Sequence, residues 1–160
     1  MNLPVFDLHC DTALELLDNH CRPVERLRKR QGHIDLERGG KLAGYAQLFA
    51  FFTTPGMDPT GVCSPEMIFR AMLENLQREL EENRDRIVQA RTPAEIRQAV
   101  DDGKIAAVFS LEGPAGIGFD PGRLEELAAL GFRMTTLTWN ESNPLAGSHQ
   151  TGGGLTRQGK

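Results

Sequence analysis

The stretch Val5-Phe6-Asp7-Leu8-His9-Cys10-Asp11-Thr12 decides the fold, because it joins a β-strand to the start of a helix. Residues 5–10 predict a buried strand, and the residues that follow supply N-cap chemistry for a helix over residues 13–17. His9 and Asp11 are two residues apart, a spacing that places both side chains on one face of a strand. An imidazole and a carboxylate presented together suit zinc or a similar divalent ion, although a surface or capping pair has the same pattern.

The rest of the chain alternates predicted strands with predicted helices. Further strands are expected at residues 45–53, 105–111 and 134–138, where apolar runs are bounded by turn residues. Helices are expected from Pro65, from Pro93 to about residue 101, and over residues 124–130. Strands that are apolar on both faces and alternate with helices are typical of a parallel sheet covered by helices. The sequence therefore predicts an α/β fold.

Length, charge and composition narrow the class of protein. The 160 residues suffice for one domain, and 39% hydrophobic with 25% charged residues is typical of a soluble globular protein. The net charge of -4 and the lack of a basic stripe argue against nucleic acid as a partner. No run approaches the roughly 20 apolar residues of a membrane span, and no signal peptide is recognised at the N-terminus. We therefore expect no membrane segment and a cytoplasmic location.

Three cysteines, Cys10, Cys21 and Cys63, are widely spaced and odd in number, which favours reduced thiols over a disulfide framework. Strand alternation turns Cys10 to the face opposite His9, so we expect it to pack in the core. Cys21 follows His20, but no partner spacing supports a second metal site there. We expect a structural or surface role for both His20 and Cys21.

Polar residues collect where the predicted strands end. His9 and Asp11 follow the first strand, Glu112 follows the third, and Trp139-Asn140 follows the fourth. In α/β folds the carboxyl ends of parallel strands carry the functional site. Glu112 is either a metal ligand or a loop carboxylate, and its alignment with Ser110 and Val108 on one strand face favours a ligand. A glutamate in this place can also bridge two metal ions.

Several of these segments together resemble the membrane dipeptidase (renal dipeptidase) family. The similar segments are residues 7–12 (DLHCDT), 109–113 (FSLEG), 136–143 (TLTWNESN) and 153–160 (GGLTRQGK), with His33-Ile34-Asp35-Leu36, Gly39-Gly40 and Gln47 between them. They occur in the family's order over nearly the whole chain. The resemblance implies a zinc enzyme that hydrolyses dipeptides and has an amidohydrolase-type TIM barrel.

The resemblance also assigns roles to single residues. His9 and Asp11 would bind one zinc ion, and Glu112 would bridge it to a second and serve in catalysis. The complete enzyme would hold two zinc ions, act on a dipeptide substrate and form a homodimer. Asp7, which strand alternation places on the same face as His9, is either a partner of a metal ligand or a structural carboxylate lower in the barrel.

One departure from the family falls at Trp139, where better-known eukaryotic members carry a substrate-contacting histidine. We predict that Trp139 and Asn140 bind substrate. The alternatives are that Trp139 only fills the barrel mouth, and that Asn140 and Asn143 order their loop. A tryptophan cannot give a tetrahedral intermediate the same polar contact as a histidine, which bears on substrate range and rate.

The second departure is length, because a (β/α)8 barrel takes about 250 residues. Residues 1–160 are predicted to be a single domain, the N-terminal half of such a barrel with about its first four βα units. The resemblance implies that the histidines for the second zinc lie on later strands, and His149 does not match them. His20 and His33, which come before the second strand, are predicted to be ordinary surface or packing residues. We expect the chain alone to bind zinc weakly and to lack peptidase activity.

Two other classes of function stay open at this stage. Another amidohydrolase-type metal hydrolase, acting on an N-acyl amino acid or a lactone, would use the same metal ligands. The other alternative is a non-catalytic half-barrel that pairs with a partner chain through its open sheet edges.

Overall fold

The computed structural model describes residues 3–19 and 21–160, and a five-stranded parallel β-sheet organises them. The strands are β1 (Pro4–Cys10), β2 (Gly44–Phe52), β3 (Ile87–Gln89), β4 (Ile105–Glu112) and β5 (Phe132–Thr136). They lie side by side in the order β1-β2-β4-β3, and β5 pairs with the carboxyl half of β4. The predicted parallel α/β sheet is confirmed. His20, predicted to be a surface or packing residue, lies outside the described residues.

Five α-helices connect or cover these strands: α1 (Thr12–Glu15), α2 (Leu36–Gly39), α3 (Pro65–Glu82), α4 (Pro93–Asp101) and α5 (Leu124–Leu130). The two longest begin as their sequences predict, with a hydroxyl cap followed by proline at the first helical position. Ser64 accepts a hydrogen bond from the Met67 N–H, and Thr92 accepts one from the Glu95 N–H. Among the described residues, no helix has the length and apolar character that a bilayer crossing needs.

Two elements were not predicted, and the bounds of two predicted elements differ in the structure. β3 was not expected, because it is only three residues long and pairs with the first residues of β4 alone. β5 begins at Phe132 rather than residue 134, because Gly131 adopts a left-handed conformation (φ +97°) that ends α5 and leads directly into the strand. The helix after β1 is a single turn, and the added turn α2 is capped by Asp35, whose carboxylate accepts a hydrogen bond from the Arg38 N–H.

The two faces of β2 and β4 pack against different helices. On the outer face, alternate residues such as Tyr45, Phe49, Phe51, Phe109 and Leu111 join the main apolar core with α1 and α3. Phe51 is central there, with the rings of Phe69, Phe109 and Phe132 between 4.8 and 5.9 Å away, centroid to centroid. Burial of these aromatic side chains fixes α3 against the sheet.

The inner face of the sheet, defined by Ala46, Leu48, Ala106 and Val108, packs against Ile96 and Ala99 of α4. These residues belong to the amino-terminal halves of β2 and β4. The helix therefore closes the lower half of the inner face. The carboxyl half, where Phe52 and Glu112 end their strands, is left for the site.

β1 lies at an edge of the sheet, and most of its side chains are exposed, including Val5, Phe6 and Leu8. The prediction of a buried first strand is therefore wrong for most of β1. Its pairing is with β2 on one side, and in the part of the chain that the structure describes no strand pairs with the other side. Cys10 is buried in the main core, as predicted.

An irregularity in β1 changes the side on which Asp7 lies. The segment from Asp7 to Cys10 pairs with the shorter segment from Gln47 to Phe49, so β1 contains one extra residue there. Asp7 is therefore beside Gln47 and shares a groove with Tyr45 and His33 on the outer side. The prediction that Asp7 shares a face with His9 is wrong, because the extra residue shifts the alternation of the strand. Its carboxylate accepts a hydrogen bond from the His9 N–H.

The structure pairs Cys21 with Cys63 in a disulfide, so the expectation of reduced thiols is wrong for these two residues. The bond joins the segment after α1 to the residue just before the Ser64 cap of α3. Sequence spacing could not show this, because both cysteines lie in irregular segments outside the helices and strands. Disulfides are uncommon in cytosolic proteins, and the cytoplasmic location stays a prediction.

Candidate metal centre

Three side chains meet at the carboxyl ends of β1 and β4. His9 Nε2 lies 3.4 Å from Asp11 Oδ1 and 3.5 Å from Glu112 Oε2. One potential ligand atom of each residue falls within 4.8 Å of the others. The residues predicted as metal ligands are thus brought together in one cluster. Within the ranges 3–19 and 21–160, this is the group of three such side chains that could hold an ion.

The local backbone explains why His9 and Asp11 face each other. His9 lies within the irregular segment of β1, and Asp11 occupies the N-cap position of α1. A carboxylate in that position commonly accepts a hydrogen bond from the helix, but the Asp11 side chain makes no capping bond. Its oxygens are therefore directed to His9 rather than committed to the helix.

Glu112 is held by contacts that fix its backbone at the end of β4. Its carbonyl oxygen accepts a hydrogen bond from the Thr53 N–H, which ties the loop after β2 to the loop after β4. Gly113 has φ +75°, so the chain turns sharply after Glu112, and its N–H donates to Thr136 Oγ1. A side chain at position 113 would be strained and would meet the Thr53 carbonyl.

Burial raises the pKa of the Glu112 carboxyl, and the nearby negative charge of Asp11 adds to this, whereas His9 acts in the opposite direction. The side chain is 18% exposed, compared with about half for His9 and Asp11. Two carboxylates and an imidazole are therefore held close together with one acid partly desolvated. Such a site favours a positively charged occupant.

The donor set fits a small divalent cation. Ligands at about 2.1 Å from a tetrahedral zinc ion are about 3.4 Å from one another, which matches the distances from His9 Nε2 to the Asp11 and Glu112 oxygens. Imidazole nitrogen with carboxylate oxygen is also a set that zinc accepts. The cluster therefore offers three candidate ligand side chains.

An aromatic pair stands beside the cluster. Phe52 ends β2 and is the register partner of Glu112, so it lies directly next to that residue in the sheet. The ring of Trp139, in the loop after β5, meets the ring of Phe52 edge-on with centroids 5.0 Å apart. In the same place, Thr54 Oγ1 donates a hydrogen bond to Glu141 Oε2 at 3.2 Å.

Other predicted residues do not join the cluster. The backbone carbonyl oxygen of Asn140 accepts a hydrogen bond from Ser148 Oγ within the loop after β5. Asn143 orders the loop as the alternative interpretation expected, because its side chain donates to the Leu137 carbonyl and accepts from two backbone N–H groups. His33 and His149 are exposed and lie outside the cluster.

Sequence reasoning missed Phe52, Thr54 and Glu141. A signal for Phe52 was present, because it lies near the carboxyl end of a predicted strand, the same position that drew attention to Glu112. Thr54 and Glu141 gave no comparable signal, since their contact depends on how two loops fold over β4.

Comparison with known proteins places these features in a family. The sequence profile of the membrane dipeptidases, peptidase family M19, matches residues 1–160. Dipeptidase verJ of Clonostachys rogersoniana is 30% identical over an alignment of 182 residues, which covers 99% of this chain and 44% of that protein.

Two solved structures are similar over the same length. A metallopeptidase of Rhodobacter sphaeroides, liganded with a phosphinate mimic of the dipeptide L-Ala-D-Ala, superposes with a TM-score of 0.77 at 25% identity, covering 99% of this chain and 54% of that one. Dipeptidase AC, a metallopeptidase of family M19, superposes with a TM-score of 0.78 at 26% identity, covering 99% and 52%.

The chain thus spans about half the length of these relatives. The prediction of an incomplete parallel barrel of the TIM type is confirmed by the structural neighbours. The resemblance noted in the separate sequence segments is confirmed by the match of the family profile. With the profile matched from residue 1 to residue 160, the chain belongs to the membrane dipeptidase family, peptidase family M19.

Proposed function

We propose that this chain contributes the first metal site of a zinc-dependent dipeptidase, with His9, Asp11 and Glu112 as ligands. The observation that carries the proposal is the convergence of these three side chains at the carboxyl ends of β1 and β4. That edge of a parallel α/β barrel is where catalytic groups gather. Membership in a dipeptidase family supports the reaction class.

In the proposed reaction, a bound zinc ion would polarise the scissile carbonyl and activate the attacking water. His9 would bind through Nε2, and its backbone N–H is fixed by the Asp7 carboxylate. Asp11 and Glu112 would balance the charge of the cation. Glu112, at the carboxyl end of β4, would serve in catalysis by holding and orienting the cation. A second zinc ion, bridged by Glu112, belongs to the proposal for the complete enzyme.

The proposed substrate is a dipeptide. Support comes from the relative of Rhodobacter sphaeroides, whose structure contains a phosphinate mimic of L-Ala-D-Ala. In this chain the Phe52 and Trp139 rings stand next to Glu112 and offer an apolar wall for a substrate side chain. We propose that Trp139 contacts the substrate, and that Asn140 does so through the same loop.

Zinc binding to the purified 160-residue chain tests the proposal. In a calorimetric titration, we expect one site that is weakened at least tenfold by His9→Ala, since a ligand is lost. His33→Ala is the matched control, because it removes an exposed imidazole outside the cluster. Equal zinc affinity in the wild type and in His9→Ala would contradict the proposed site.

Substrate class needs a protein that contains the remaining barrel strands as well as this chain. In such a protein we expect hydrolysis of dipeptides in preference to matched N-acyl amino acids and lactones. A preference for the N-acyl or lactone substrate would favour the other amidohydrolase-type reaction. The 160-residue chain alone is expected to turn over none of the three.

A second candidate, association with another chain, is favoured by the exposed apolar side chains of β1. Val5, Phe6 and Leu8 are 38, 51 and 64% exposed on a strand with an unpaired edge. Exposed strand edges of this kind promote pairing between chains. In a complete barrel a later strand would pair with this edge, so the homodimer that we propose for the complete enzyme rests on the family resemblance. Analytical ultracentrifugation with and without zinc tests whether the 160-residue chain itself associates. A defined dimer without hydrolysis would support the half-barrel alternative, and a monomer would oppose it.

A further inference from the structure

Two contacts cross above the end of β4, and together they connect loops that are not neighbours in the sheet. β2 and β5 flank β4 on opposite sides, with Phe52 and Thr136 as the register partners of Glu112. Phe52 meets Trp139, and Thr54 meets Glu141, so the loop after β2 reaches the loop after β5 twice. Both contacts therefore pass over the strand end that carries Glu112.

The Trp139 side chain needs such support, because it is 48% exposed. Among the described residues, Phe52 is the aromatic ring with which it makes a ring contact. An edge-on aromatic pair is worth only about 0.5–1.5 kcal/mol beyond its buried area. On its own, this contact would hold the indole loosely.

Glu141 is well placed to add that support. It follows Trp139 by two residues, in a loop that is stiffened by its own hydrogen bonds. Ser148 Oγ donates to the Asn140 carbonyl, and Ser142 Oγ donates to Thr151 Oγ1. Because these hydrogen bonds order the loop, a contact that fixes the Glu141 carboxylate also restricts the position of Trp139.

These two loops and the loop after β4 enclose a small cavity of about 130 Å³ beside the strand ends. Its lining includes Thr53, Thr54, Pro114, Phe119, Trp139 and Glu141. The walls of the cavity come from the loops after β2, β4 and β5. The width of the cavity depends on how closely the first and last of these loops approach each other.

We propose that Thr54 and Glu141 are positioning residues, whose hydrogen bond holds Trp139 against Phe52 and so sets the substrate-facing wall beside Glu112. The assignment of this wall to substrate rests on the proposed dipeptidase function. The positioning itself concerns only residues of this chain and applies to the metal-free protein.

The test uses the single tryptophan of the chain, since all tryptophan fluorescence comes from Trp139. Thr54→Val removes the hydroxyl donor at nearly constant shape, and Thr54→Ser retains it as the matched control. In the metal-free chain we expect Thr54→Val to increase acrylamide quenching by up to about twofold, because about half of the indole is already exposed. Fluorescence anisotropy should fall in the same variant, and Thr54→Ser should behave like the wild type.

A second pair of variants, at Glu141, tests the same hydrogen bond independently of any folding defect in Thr54→Val. Glu141 is exposed, so Glu141→Ala should leave the fold intact, and circular dichroism checks this. We expect Glu141→Ala to reproduce the change in quenching, and Glu141→Gln, which keeps an acceptor oxygen, to restore wild-type values. Unchanged quenching and anisotropy in the folded Ala variant would overturn the proposal.

Cobalt(II) then separates this inference from the proposed function. Cobalt bound at the cluster should quench Trp139 by energy transfer, with less quenching in Thr54→Val at unchanged cobalt affinity. If cobalt does not bind the wild type, the proposed metal site fails, whereas the acrylamide result still decides the positioning role. Equal cobalt quenching in Thr54→Val and the wild type, at equal affinity, counts against positioning.

Discussion

His9 and Glu112 approach to 3.5 Å although their strands are not neighbours, because β2 lies between β1 and β4. Adjacent strands are about 4.8 Å apart, so strands with one strand between them are about 10 Å apart. The imidazole of His9 and the long side chain of Glu112 cross this gap by extending toward each other over β2. The contact therefore depends on both side chains being directed to the same face of the sheet.

We predict that Glu112→Gln stabilises the metal-free chain and removes its response to zinc. Burial raises the pKa of Glu112 in the folded state, so keeping the carboxylate charged at neutral pH opposes folding. Stability of the wild type should fall as pH rises from the unfolded pKa through the raised folded pKa, and Gln abolishes this dependence. Thermal unfolding across that pH range measures the effect.

With zinc bound, the wild type should have a higher free energy of unfolding than Glu112→Gln, the reverse of the order in the metal-free proteins. A site filled at 100 times its Kd adds about 2.7 kcal/mol to the free energy of unfolding. We expect this gain in the wild type and little of it in Glu112→Gln. An equal zinc-dependent increase in Tm for both proteins would contradict a ligand role for Glu112.

We predict that reduction of the bond between Cys21 and Cys63 lowers the free energy of unfolding by about 2–4 kcal/mol, because the bond closes a long loop. The two residues are 42 positions apart in the sequence. Urea unfolding with and without a dithiol reductant measures the loss, and the Cys21→Ser/Cys63→Ser double variant should not respond to reductant. In denaturant, the oxidised chain should show one free thiol, that of Cys10. Three free thiols without reductant would rule out the bond.

We predict a loss of stability in acid from Asp58, which orders the loop before the disulfide. Hydrogen bonds from the Thr60 hydroxyl and from the N–H groups of Cys63 and Thr60 lower the pKa of Asp58 to about 2. The unfolded value is about 3.9, so the carboxylate stabilises the fold above that pH and the effect is lost as pH falls toward about 2. Chemical unfolding of the wild type and Asp58→Asn at several pH values tests this. The difference between the two proteins should shrink over that interval, and a constant difference would contradict it.

We predict that Glu79→Ala costs about 2–3 kcal/mol, since it leaves a buried N–H without its acceptor. The Glu79 carboxylate is fully buried, accepts a hydrogen bond from the Leu27 N–H at 2.9 Å, and lies 2.7 Å from Arg26 Nε. The second contact is an ion pair without hydrogen-bond geometry. Glu81→Ala on the same helix is the control, because its pair with Arg84 is exposed and should contribute less than about 1 kcal/mol. Similar costs for both variants in urea unfolding would refute the role of Glu79.

Much of the fold followed from local sequence signals. β4 was predictable because its apolar run is bounded by Gly103 and Gly113, and α3 because Ser64 and Pro65 mark its start. The cluster was predictable in outline, since strand ends of a parallel sheet meet at one edge. This rule and the family resemblance together predicted that Glu112 lies near His9.

The remaining features depend on tertiary contacts that no local pattern encodes. One extra residue in β1 reverses the side of Asp7, because strand alternation has a period of two and cannot reveal an insertion. Cys21 and Cys63 meet through loops rather than through elements with a period. Val5 and Leu8 look like core residues in the sequence but lie on an edge strand, where the described chain provides no second neighbour.

The central claim is that His9, Asp11 and Glu112 bind one metal ion together, and anomalous X-ray diffraction at the zinc edge tests it most directly. Crystals of the 160-residue chain grown with zinc should show an anomalous peak about 2.0–2.2 Å from His9 Nε2 and from a carboxylate oxygen of Asp11 and of Glu112. A zinc peak at His33 or His149 with none in the cluster would contradict the account.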